Sequence, residues 1–116
     1  DPQTLQTRVP GVYAVGDVTS VGTPKAGVFA EGQAAIVAHA IIAQHHGRAT
    51  ELSYDGNGKC YLEFGGGRVA HVDVTFIPGD APRGTLDGPS HELRENKVRF
   101  GSSRILRWFG NEWSVR

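Results

Sequence analysis

The run Val12-Tyr13-Ala14-Val15 stops at Gly16-Asp17, and within ten residues a long segment rich in alanine and isoleucine begins. Four consecutive apolar residues ended by a glycine and a carboxylate predict a short strand buried on both faces, the kind that sits in a parallel sheet covered by helices. Before it, "TRVPG" at residues 7–11 reads as a turn, since proline presets its own φ and glycine tolerates a positive one. After it, the pattern predicts a helix from near Pro24, capped by Thr23, running through "VFAEGQAAIVAHAIIAQHH" and stopping at Gly47. Phe29, Val37 and Ile41 are expected to pack on the sheet. Gly32, with Ala30, Ala34 and Ala38, forms a small-residue face open to close backbone approach. A strand delivering Asp17 at its C-terminal edge, followed by a helix N-terminus, surrounds one crevice with a hydrogen-bond acceptor and several backbone donors. From the dipeptide alone, an ordinary Asp turn at a strand end is the better account.

The second half changes character at Tyr54. "DGNG" at 55–58 predicts a turn, then "CYLEF" at 60–64 alternates with Cys60, Leu62 and Phe64 on one face. "GGG" at 65–67 closes a β-hairpin onto residues 68–77, with Ala70, Val72, Val74 and Phe76 inward and His71, Asp73 and Thr75 outward. "GGGRVA" also satisfies a loose dinucleotide pattern, but period-two residues follow where that fingerprint demands a helix. Residues 78–89, rich in proline and glycine, read as a loop, and Ser90 as the cap of a final helix reaching about Phe109.

Composition narrows the function classes. With 39% hydrophobic residues in 116 the chain has enough apolar material for one core. The 12 basic and 12 acidic residues cancel, so no global field recruits nucleic acid. A single cysteine, Cys60, excludes an internal disulfide framework, and no metal site is expected: His45-His46 diverge around the helix, and "DGNG" lacks the oxygen spacing of a calcium loop. A start at Asp1-Pro2, in a chain without methionine, suggests a fragment of a longer protein. No signal peptide or membrane span is read, and a cytoplasmic location is expected. Taken alone, a cysteine on an apolar strand face is more often an inert small hydrophobe than a nucleophile.

"TRVPGVYAVGDVTSVGTPKAGVFAEGQAA", residues 7–35, resembles the second FAD-binding motif of the pyridine nucleotide-disulfide oxidoreductase flavoproteins. The resemblance implies an α/β fragment: the C-terminal strand and helix of a Rossmann-like FAD-binding domain (1–48), then a β-hairpin plus helix unit (49–116) forming an active-site floor or interface. It implies that Gly16 and Asp17 meet the ribityl chain of FAD. Pro24, Lys25, Ala26 and Gly27 would face the pyrimidine side of the isoalloxazine, with Lys25 favouring the reduced flavin. "PKAG…E" followed by "CYLEFG" is similar to the sulfide:quinone oxidoreductase and flavocytochrome c sulfide dehydrogenase branch, in which Cys60 would be one of two redox sulfurs. The implied partners are the rest of the flavoprotein chain, a small-molecule electron donor (sulfide, thiol or NAD(P)H) and an acceptor such as a quinone. The short link between strand and Pro-Lys segment departs from the quinone-reducing pattern, and the second sulfur is not in this sequence. Two alternatives stay open: a structural or dimerisation module with an inert Cys60, and an NADH:quinone oxidoreductase-type flavoprotein. The final segment carries Leu93, Phe100, Ile105 and Trp108 in one sector among five basic and two acidic residues, with Trp113 beyond. That pattern suits a peripheral membrane helix, packing on its own domain, or a homodimer face.

Overall fold

The computed structural model describes residues 1–111. It contains two helices, α1 (Gly27–His45) and α2 (Leu93–Phe109), and three strands, β1 (Asn57–Glu63), β2 (Val69–Thr75) and β3 (Arg83–Ser90), with a short 3-10 turn at Gly16–Val18. The strands form one antiparallel sheet in the order β1-β2-β3. The chain divides into two compact units: Asp1–Lys59 with Asp73–Gly84, and Cys60–Val72 with the chain from Thr85 onward.

In the first unit, the expected strand at 12–15 is extended chain held by a single bridge between Gln6 and Tyr13. Val12 is half exposed, so the double-sided burial expected of a central parallel strand is not met. The segment folds back on its own N-terminal loop instead: Thr7 N–H donates to Val12 O (2.9 Å) and Ala14 N–H to Leu5 O (3.0 Å), which seals Leu5 inside.

Helix α1 begins three residues later than the sequence suggests. Ala26 is extended (φ −148°, ψ 148°) and its N–H turns back onto Pro24 O, so Pro24 and Lys25 precede the helix. Thr23 does not cap it, because its hydroxyl accepts from Gln33 Nε2 at 3.1 Å. The C-terminal end falls where glycine predicts, with Gly47 at φ +65°. Phe29 packs as expected, buried and edge-on to Phe76 at 5.7 Å between ring centroids. Ile41 does not: it is half exposed, as is Ile42. The glycine at position 32 admits a ring rather than a backbone, since a Cβ there would stand 3.1 Å from Tyr54 Cε2.

The hairpin forms as expected around Gly65, Gly66 and Gly67, all with positive φ, closed by Phe64 N–H to Arg68 O (3.0 Å). Leu62 and Phe64, on one face of the first run, are exposed, whereas Tyr61 and Glu63, on the other, meet α2: the Tyr61 ring lies 5.2 Å from Phe100 and Glu63 pairs with Lys97. The loop expected at 78–89 contains β3. Gly84 permits that pairing, because a Cβ there would come 2.5 Å from Asp73 O, and a strand whose one large apolar residue is Leu86, among Arg, Gly, Thr, Asp, Pro and Ser, carries no apolar alternation to announce itself. Ser90 Oγ accepts from Leu93 N–H at 3.4 Å, a long bond at the start of α2, and Gly110 in the left-handed conformation ends the helix after Phe109. Trp113 lies outside the described residues.

Candidate functional site

Gly16 and Asp17 occupy the 3-10 turn, Gly16 at φ +77° where a side chain would be strained. The turn is clamped to α1. Gly16 N–H donates to Gln33 Oε1 at 2.7 Å, a Cβ on Gly16 would touch Ala30 Cβ at 3.3 Å, and Thr19 closes the turn through N–H and hydroxyl bonds to Gly16 O (3.0 and 2.8 Å). Lys25 reaches back so that its Nζ donates to Thr19 O. The sequence-predicted residues of this region are thus gathered at the junction of the turn with the N-terminal end of α1, and Gln33 is the side chain that joins them.

Gln33 is 1% exposed and uses both ends of its amide, one on Gly16 and one on Thr23. Sequence reasoning passed over it, although Phe29, Gln33, Val37 and Ile41 follow one another at four-residue spacing. A lone amide on an otherwise apolar helix face is the signal that would have found it.

The two halves of the predicted flavin contact differ in what they offer. The Asp17 carboxylate is exposed and makes no hydrogen bond or ion pair among the described residues. At the start of α1, Ala26 N–H is taken by Pro24 O and Phe29 N–H by Ala26 O (both 3.1 Å), which leaves the N–H groups of Gly27 and Val28 without a backbone acceptor, and Ala26 supplies no side-chain cap. Lys25, in contrast, is committed to the Thr19 carbonyl. A cavity of about 600 Å³ beside the turn is walled by Leu5, Arg8, Ala14, Val18, Thr19 and Ser20, and neither Asp17 nor Lys25 is part of that wall.

Tyr54 is buried with its hydroxyl lacking a hydrogen-bond partner, in van der Waals reach of Gly32. Burial pushes its pKa above the ordinary 10.0; the Gln33 side chain lies close enough to offset part of that without bonding geometry, and Asp55 adds to the rise.

Cys60 belongs to the second unit and carries a free, half-buried thiol. It lines a cavity of about 620 Å³ between the β1–β2 hairpin and α2, together with Tyr61, Arg68, Arg94, Lys97 and Phe100. The described residues hold no cluster of three or more metal-ligating side chains, and none of their helices is long and apolar enough to cross a membrane. On α2, Leu106, Trp108 and Phe109 are exposed. Comparison with protein-family models, curated proteins and solved structures returned no match to this chain.

Proposed function

We propose that this chain is part of an FAD-dependent oxidoreductase of the pyridine nucleotide-disulfide superfamily, nearest its sulfide-oxidising branch. The carrying observation is the clamped junction of the Gly16–Asp17 turn with α1. It holds an unpartnered carboxylate, Asp17, and two helix N–H groups without acceptors, those of Gly27 and Val28, on neighbouring stretches of one unit. That donor set suits the two ends of a flavin: ribityl hydroxyls need an acceptor, and the electron-rich pyrimidine edge needs donors. Bound there, FAD would supply two-electron transfer between a donor and an acceptor.

The residues of the chain would orient it. Asp17 would accept from a ribityl hydroxyl, and the N–H groups around Gly27 would lie against the pyrimidine edge, where the helix dipole favours the reduced form. Lys25 would act through the Thr19 carbonyl it holds, fixing the turn rather than presenting a free ammonium. Cys60 and a second cysteine from elsewhere in the intact protein would form a dithiol–disulfide couple, releasing two electrons and two protons as the S–S bond closes and taking them up as it opens.

The test is Asp17→Ala in the intact protein. Loss of one hydrogen bond to a charged acceptor weakens FAD binding about tenfold or more. Unchanged FAD affinity would remove Asp17 from the site.

A further inference from the structure

We infer that the cavity between the β1–β2 hairpin and α2 binds an amphipathic carboxylate: an aromatic or alkyl body with one anionic end. The assignment rests on the second unit alone and does not need the flavin reading.

Charge is the first argument. The chain as a whole is neutral, yet the lining of this cavity holds Arg68, Arg94 and Lys97 against one carboxylate, Glu63. Glu63 is already paired with Lys97. Neither Arg68 nor Arg94 takes part in an ion pair or a side-chain hydrogen bond among the described residues, so two guanidinium groups face the cavity with their donors uncommitted. Arginine presents a planar fork that matches a carboxylate through two parallel bonds.

Position is the second. Gly67 leaves the space these groups share: a Cβ there would stand 3.8 Å from Arg94 Nη1 and 3.4 Å from His91 Nδ1, and Arg68 is the next residue along the hairpin. Arg94 thus reaches the hairpin end of the cavity, where Arg68 also forms part of the wall. The remaining wall is apolar, formed by Tyr61, Val69, Val98 and Phe100, with Tyr61 and Phe100 edge to face. A volume of about 620 Å³ suits a small organic molecule rather than a bare ion. One charged end and one greasy body are what such a lining recognises.

The probe is naphthalene-2-carboxylate, compared with neutral naphthalene-2-carboxamide and with inorganic phosphate, in titrations of the protein followed by calorimetry. A second reading is the rate of Cys60 alkylation by iodoacetamide, because the only thiol in the chain lies in the cavity wall. The carboxylate is expected to bind and slow the alkylation, the carboxamide to bind about tenfold more weakly, and phosphate to do neither at the same concentration. Arg68→Gln and Arg94→Gln, both at exposed positions where the unfolding midpoint is expected to stay unchanged, should each weaken the carboxylate several-fold. Equal binding of carboxylate and carboxamide, full affinity with both arginines replaced, or no binding with no protection of Cys60 would each overturn the assignment. Binding of phosphate as tight as that of the carboxylate would overturn it too, by showing a simple anion site.

Discussion

Replacing Gln33 with leucine is the perturbation that most sharply tests how the Gly16–Asp17 turn is held. Leucine has a similar volume, so packing beneath α1 is largely kept and the change isolates the amide. The Gly16 N–H loses its only acceptor, and a half-buried orphaned donor costs about 1–3 kcal/mol. The Thr23 hydroxyl is only partly buried and can turn to water, adding about 0.5–1 kcal/mol. Burying the leucine methyls in a site 1% exposed returns roughly 1 kcal/mol. The net is a loss of about 2 kcal/mol, a sizeable share of the roughly 5–15 kcal/mol that holds a small domain. Urea unfolding measures it as a lowered midpoint at unchanged slope. A double-mutant cycle with Thr23→Val should return the smaller share as coupling between the two positions. A stability change within about 0.5 kcal/mol would refute the claim that this amide anchors the turn.

Three other substitutions read other parts of the account. Gly58→Ala places a methyl 2.5 Å from Phe29 Cε1, and the strain should cost about 1–3 kcal/mol in thermal or urea unfolding, relieved in a Phe29→Leu background. Tyr54→Phe removes a buried hydroxyl that has no partner, so the variant should be as stable as the parent or up to about 1 kcal/mol more so. Because burial raises the Tyr54 pKa above 10.0, the native chain should lose stability as pH climbs from 10.0 through that raised value, and Tyr54→Phe should flatten this alkaline decline; an identical profile in both proteins would contradict the cause assigned here. In the intact protein, Cys60→Ser should abolish sulfide-dependent flavin reduction while leaving FAD content unchanged, and retained sulfide turnover would assign the thiol a structural role.

What could be read from the residues followed physical strength. The C-terminal end of α1 was legible because Gly47 takes a backbone angle that other residues resist, and the hairpin was legible because three glycines separate two alternating runs. The strand at 12–15 was misjudged since a continuous apolar run says that a segment prefers burial without saying what will cover it; here it pairs with the N-terminal loop through the Gln6–Tyr13 bridge instead of entering a sheet. β3 was invisible for the opposite reason. Its ladder is made by backbone groups of a sequence with no apolar period, and Gly84 and Pro89 read as loop residues. At the candidate site, Asp17 and the segment leading into α1 were singled out from motif and spacing, although the helix starts at Gly27 rather than near Pro24. Gln33 was not, because helix periodicity was counted in apolar residues alone, and the cationic lining of the second cavity was hidden because Arg68 and Arg94 are far apart along the chain.

The central claim, that the turn bearing Asp17 and the uncapped end of α1 converge on a flavin, is tested most directly by the flavin content of the intact protein. Purified from cells and released by denaturation, it should yield FAD in proportion to protein, and Asp17→Ala should yield less. A colourless intact protein that also fails to take up added FAD would contradict the account.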